Sequence, residues 1–324
     1  MSSELRDSPT SGVFMTLGKF FVCSLIVLTI LGDVLVYTAF YLNNNLRTRS
    51  NAFFLSLVTS DILSALFVMP IEVVLLSNYP FWPLGEIPCK IWSSMFVALC
   101  SASVLNLCAV GVDRFWAISR PLRYNPDMSS SLAVCLIFLW SFAFISGVAS
   151  YFIWITPNPL VCSMLSTPLE SAVWFLLFDL LIPFCICLLM YAKIFQISRQ
   201  QARRVTTARR WVRGEHKSSS PPRKSVKTLS LLVGSFVVCF LPFLVYHCVD
   251  GALEERLPNR LYIGSVVKWL TFSNSPMNWA LYGILNLEYR KALIRIFRVL
   301  RCKFWGQRTR VSSGANCMEV QTIS

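Results

Sequence analysis

Seven stretches of this chain are each long and apolar enough to cross the hydrocarbon core of a bilayer, which takes about 20 mostly apolar residues in a helix. In lipid the backbone must satisfy its own hydrogen bonds, so such isolated stretches are expected to be helices. They fall at roughly 16–42, 51–77, 87–119, 131–155, 169–197, 226–249 and 261–284. The expected fold is an all-α membrane protein, a seven-transmembrane helix bundle spanning 16–284 with an N-terminal segment 1–15 outside it. Of the 324 residues, 55% are hydrophobic and 14% charged, with a mean hydropathy of +0.58. This composition excludes an ordinary soluble enzyme. The N-terminus, MSSELRDSPTSG, has no basic region followed by a cleavage site and no glycosylation sequon, so the first span reads as an uncleaved signal anchor.

An odd number of spans puts the two termini on opposite faces, and basic residues mark the cytoplasmic one. Of 30 Lys and Arg, 24 fall on the face that holds the C-terminal tail and 6 on the other. The N-terminus is expected outside and the tail inside, in a multi-pass protein of the plasma membrane. The net charge of +14 follows from this bias, so nucleic acid is not an expected partner. After the seventh span, LEYRKALIRIFRVL (Leu287–Leu300) sets apolar residues at helical spacing against Arg and Lys. A short amphipathic helix over 285–301, lying flat in the inner interface, is expected, before a cytoplasmic tail 302–324. Cys302 follows as a palmitoylation site or an unmodified juxtamembrane thiol. The 12 Cys are too scattered for a disulfide scaffold, and several lie in apolar runs where a thiol packs as a small hydrophobe.

Ionisable groups inside membrane helices are costly, which makes each a functional candidate. Here they are Asp33, Asp61, Glu72, Asp113 with Arg114, Asp179 and Lys268. A transporter would show repeat symmetry between its halves, and none is visible. Asp113 and Arg114 sit at the inner end of the third span, where an ion pair can hold an inactive arrangement that a partner opens.

These charges recur with other motifs in a fixed order: Leu57 and Asp61 in LSLVTSD, Cys89 at the outer start of the third span, VDRFWAISRPLRY from Val112, Trp140, Pro183, Tyr191 and Ile194 in IPFCICLLMYAKIF, CFLPF at 239–243 and NSPMNWALY at 274–282. In these the chain resembles a rhodopsin-like (class A) G-protein-coupled receptor over roughly 16–302. FWPLGEIPCKIW, ASVLNLCAVGVDRFWAI and ISRQQARR are most similar to biogenic-amine receptors of the Gs-coupled dopamine, histamine and trace-amine types. The resemblance implies a receptor, not an enzyme. It carries a small extracellular ligand's binding, an amine by this likeness, to a heterotrimeric G protein. The short third inner loop agrees with Gs and a rise in cAMP. The resemblance also implies a Cys89–Cys162 disulfide, chemically sound on the oxidising side, and a coupling role for Asp113, Arg114, Tyr191 and Tyr282.

In that family Asp61 joins a third-span serine and polar residues of the seventh span to hold a sodium ion. Ser103, Asn274, Ser275 and Asn278 stand at the matching positions, and oxygen ligands suit a hard cation. No other cofactor is implied. Asp33 replaces the family's Asn, so either one of two neighbouring carboxyls carries a proton or a cation lies between them. Phe240 replaces a Trp and Trp279 a Pro, which removes the cause of a kink. Pro222 stands where amine receptors have a Glu facing Arg114. These departures raise two alternatives: a constitutively active receptor and a non-signalling one.

The ligand's ammonium is bound in amine receptors by a third-span Asp, and here that position is Phe96. Asp179, one turn before Pro183, is the replacement counter-ion read from the sequence, with Phe96 and Cys100 nearby. Phe240, Phe243, His247, Trp269 and Phe272 fit an aromatic ligand or an ordinary core. Glu72 and Lys268 enter the same outer cavity, either as an ion pair closing it or with Lys268 binding an acidic ligand.

Overall fold

In a computed structural model the described residues are 9–78, 81–120, 123–124, 130–153, 162, 173, 177–178, 181–211, 222–252 and 260–305. Six helices, α1 Pro9–Leu42, α2 Arg49–Asn78, α3 Glu86–Ser119, α4 Ser130–Ile153, α5 Ile182–Trp211 and α6 Pro222–Ala252, are followed by α7 Arg260–Phe272, α8 Asn274–Leu285 and α9 Leu287–Trp305. No strand occurs among the described residues. Helices α1, α2, α3, α4 and α6 each contain a stretch long and apolar enough to cross a membrane. The apolar part of α5, Ile182–Ile194, is shorter, because most of residues 169–180 lie outside the described set. The seventh span comprises α7 and α8.

Several boundaries differ from those read in the sequence. Helix α1 starts at Pro9 and α9 continues to Trp305, so it includes Cys302. Helices α5 and α6 extend beyond their apolar stretches to Trp211 and from Pro222. Hydropathy stops at the lipid boundary, whereas the hydrogen-bond ladder of a helix does not.

The seventh span is broken at Ser273, whose N–H reaches the carbonyls of Trp269 at 3.0 Å and Leu270 at 3.1 Å. The loss of a Pro at 279 was expected to remove the cause of a kink, and that expectation is corrected. Pro276, in the first turn of α8, has no N–H for the carbonyl four residues back, so the break survives one turn earlier. In α2, Pro70 follows a π-helical segment at Ser64–Val68, where the ladder widens around the missing donor. Pro242 interrupts α6, and Thr271 of α7 donates to the Cys239 carbonyl there at 3.3 Å.

Helix α3 is central, burying Trp92, Phe96, Val104, Asn106, Leu107 and Val110 among others. Helix α4 is peripheral: Val134, Ile137, Phe138, Phe144, Ile145 and Phe152 point outward, as a lipid-facing helix requires. Its Trp140 indole donates to Ser56 of α2 at 2.9 Å. Two indoles of the seventh span lie on glycines of α1, Trp269 on Gly18 and Trp279 on Gly32, where an added Cβ would overlap the ring.

Candidate functional site

At the outer end, Gly85 (φ +84°) caps α3 in the left-handed conformation that glycine adopts without strain. The Trp82 indole donates to its carbonyl and stacks on Trp92, ring centres 6.3 Å apart. This turn sets Cys89 in the first turns of α3, where it is bonded to Cys162 with a Cα–Cα distance of 5.7 Å.

One helical layer deeper, Glu72 is fully buried and forms an ion pair with Lys268 at 2.7 Å. Its other oxygen accepts the Trp269 indole N–H at 2.9 Å. The Lys268 ammonium also lies 5.2 Å from the centre of the Trp92 ring, a cation–π distance. The pair joins α2 to α7, the first of the two arrangements read from sequence, and gives Lys268 a counter-charge within the protein. Trp269, grouped with the ligand aromatics from sequence, instead faces α1: it stacks on Phe14 at 5.2 Å and lies on Gly18.

The aromatic cluster forms without it. Phe96 is 3% exposed, 5.5 Å from Phe243 and 5.9 Å from Phe272 by ring centres. Phe243 meets His247 at 4.3 Å, and Phe240 stacks on Phe236 at 4.1 Å. The third-span position where amine receptors carry a carboxylate is thus part of a packed apolar layer. Asp179, the expected replacement, lies outside the described residues.

Below this layer is a cavity of about 20 Å³, lined by Asp61, Ser103, Asn274, Ser275 and Thr271, with Phe96, Cys100, Phe240 and Phe272 among its apolar walls. That volume is about one water or one small cation. Asp61 accepts from the Asn278 amide at 2.9 Å, and Ser103 meets Ser60 at 3.0 Å. The side-chain oxygen of Asn274 is buried without a hydrogen-bond partner. A carboxylate, hydroxyls and an unpaired amide oxygen are the donor set of a hard cation. Asp33 is fully buried with both oxygens unpartnered, and it interacts electrostatically with Asp61. It does not line the cavity. The Trp279 indole N–H and the Thr29 hydroxyl are likewise buried and unpartnered.

At the inner end, Asp113 accepts from Ser50 and, at 2.9 Å, from the Tyr124 hydroxyl, and it pairs with Arg49 at 3.3 Å. Burial pushes the Tyr124 phenol above its ordinary pKa, so it remains a neutral donor. The Asp113–Arg114 ion pair expected from sequence is replaced by these contacts. Adjacent residues of a helix point in different directions, and Asp113 faces α2. Among the described residues no ion pair involves Arg114. Tyr282 donates to Asn51 at 2.6 Å and stacks on Phe54 at 3.6 Å. Tyr191 packs on Gly111, its hydroxyl buried without a partner. Arg49, Ser50, Asn51 and Tyr124 were not singled out from sequence. Their types are ordinary near a helix end, and only the fold aims them at Asp113 and Tyr282.

Residues 32–282 match the family described as 7 transmembrane receptor (rhodopsin family). The chain is 30% identical to the histamine H2 receptor of Rattus norvegicus over 290 positions, covering 87% of this chain and 78% of that one. It is also 30% identical to the histamine H2 receptor of Canis lupus familiaris over 327 positions, 97% and 88% of the two chains. To the D(1A) dopamine receptor of Didelphis virginiana it is 31% identical over 326 positions, 86% and 72% of the chains.

Proposed function

The chain belongs to the rhodopsin family of seven-transmembrane receptors, and we propose that it binds an extracellular small amine and activates the stimulatory G protein Gs, raising cAMP. Receptors of this kind are not enzymes: they transmit by shifting a two-state equilibrium. The observation that carries the coupling half is at the inner end. Asp113 is held by Arg49, Ser50 and Tyr124, which leaves Arg114 available to a protein partner. The amine half rests on likeness to histamine and dopamine receptors across most of the chain. The N-terminus is outside and the tail inside, in the plasma membrane. Cys302 is the residue offered for palmitoylation.

With Phe96 locked among rings, an ammonium needs another counter-charge, and Glu72 is already neutralised by Lys268. That leaves Asp179 as the amine's partner. Removing the partner of a buried charge costs about 2–5 kcal/mol, or roughly 30- to several thousand-fold in affinity. In a cAMP assay against an amine panel, Asp179→Ala is expected to shift agonist potency by at least that lower bound at matched surface expression. Unchanged potency would refute the assignment. A response to acids, lost in Lys268→Ala, would replace the amine reading.

Ligand-free signalling is the second reading, favoured by the same Arg114, which has no ion-pair partner among the described residues. It is expected as cAMP above that of mock-transfected cells, abolished by Arg114→Ala.

For sodium, Asp61, Ser103, Asn274 and Ser275 would hold the ion, with Asn278 orienting Asp61 and Asp33 placing a second buried carboxyl near it. The ion would supply positive charge that stabilises the resting arrangement. Asp33→Asn removes that second carboxyl and is expected to weaken the effect of added sodium on agonist potency several-fold. Identical sodium curves for variant and parent would make Asp33 a bystander.

A further inference from the structure

Two cysteines from different helices meet in the inner half of the bundle. Cys108 of α3 and Cys187 of α5 lie with their sulfurs 3.0 Å apart. This is closer than two non-bonded sulfurs ordinarily come, and about 1 Å from a disulfide bond length. The Cys108 thiol is also 3.0 Å from the Pro183 carbonyl, a contact that holds its sulfur on the α5 side. Cys187 is buried at 2% exposure. Cys108 is only partly covered, and it lines a cavity of about 840 Å³ bordered by Arg49, Asp113, Trp116, Arg123 and Tyr124 at the inner end of α3. A small reagent entering that cavity reaches Cys108, with the Cys187 sulfur in contact behind it, and the exposed Cys135 of α4 lines the same cavity without a sulfur partner at that distance.

We propose that Cys108 and Cys187 form a redox-sensitive dithiol which a small hydroperoxide converts to a disulfide tying α3 to α5. The Cys108 thiolate attacks the peroxide oxygen, the O–O bond breaks, and a sulfenic acid forms while water or an alcohol leaves with the proton. The Cys187 thiol then attacks the sulfenic sulfur, the S–S bond forms, the S–O bond breaks, and a second water leaves. Two thiols lose two electrons and one peroxide gains them. Thiol exchange with a cytosolic reductant reverses the bond. The linkage lies one helical turn from Tyr191, which packs on Gly111 of α3. The disulfide would therefore hold the two helices at the place where Tyr191 must slide if the inner ends rearrange.

The test uses membranes containing the full chain, treated with tert-butyl hydroperoxide, alkylated with one isotopic reagent under denaturing conditions, reduced, and alkylated with a second. Mass spectrometry without reduction identifies linked peptides directly. The expected result is a several-fold rise in second-label incorporation at both Cys108 and Cys187, together with a Cys108–Cys187 linked peptide. Both should be lost in Cys108→Ser and in Cys187→Ser at equal surface expression, and restored to the reduced form by dithiothreitol. The unmodified chain alone decides the matter if a variant fails to fold. First-label incorporation unchanged by oxidant at both positions would overturn the proposal, as would linkage of either cysteine to a different partner.

Discussion

Neutralising one member of the Glu72–Lys268 pair is expected to lower the thermal midpoint of the detergent-solubilised protein by on the order of 10 °C. Glu72 is fully buried and Lys268 nearly so, with their charges 2.7 Å apart. Glu72→Gln leaves an ammonium, and Lys268→Met leaves a carboxylate, each without its counter-charge. Breaking a buried pair from one side costs about 3–5 kcal/mol, and for a chain of this size 1 kcal/mol corresponds to roughly 2 °C. The double variant should recover most of the loss. Gln keeps an acceptor for the Trp269 indole, Met fills much of the lysine's volume, and no charge remains to be desolvated. A double variant as unstable as the sum of the two singles would show that the charges do not support one another. Surface expression should follow the same order.

The second large effect is expected at Gly32. A Cβ there would overlap the Trp279 indole, so the half-buried ring would have to move off a glycine that is itself buried. Gly32→Val is expected to cost about 3 kcal/mol, at the upper end of overpacking, and to reduce surface expression sharply. Trp279→Leu alone should also destabilise the protein, by leaving a cavity. Combining Gly32→Ala with Trp279→Leu should cost less than the two changes added together, since the methyl occupies space that the indole vacates. Strict additivity in thermal midpoint would mean that the ring does not depend on the glycine.

Phe96 shows how far a family pattern can be carried onto a single position. From sequence, the missing third-span carboxylate reads as a gap that an Asp would repair. In the fold the phenyl ring is wedged between Phe243 and Phe272, so Phe96→Asp would bury a carboxylate in an aromatic layer, and among the described residues no Lys or Arg contacts that ring. The cost of that desolvation falls on the same scale as losing the Glu72–Lys268 pair, and a gain of amine response is not the expected outcome. Trp269 teaches the same lesson in reverse. Its residue type suits a ligand pocket, but its register on α7 turns it toward Phe14 and Gly18.

The spans, the amphipathic helix after them and the family were legible from the amino-acid sequence. Lipid forces each apolar stretch to close its hydrogen bonds within itself, so hydropathy alone specifies the helices and motif order identifies the family. The Cys89–Cys162 bond came from the family resemblance, and the fold holds the two cysteines together. What only the tertiary structure decided is which polar groups meet. Glu72 and Lys268 are 196 residues apart, and Asp113 takes Arg49 in place of its neighbour Arg114. The break in the seventh span follows Pro276, and two indoles settle on glycines of α1. Each of these outcomes depends on the rotation of one helix against another. Side-chain packing among distant segments sets that rotation, and a linear pattern of apolar and polar residues leaves it open.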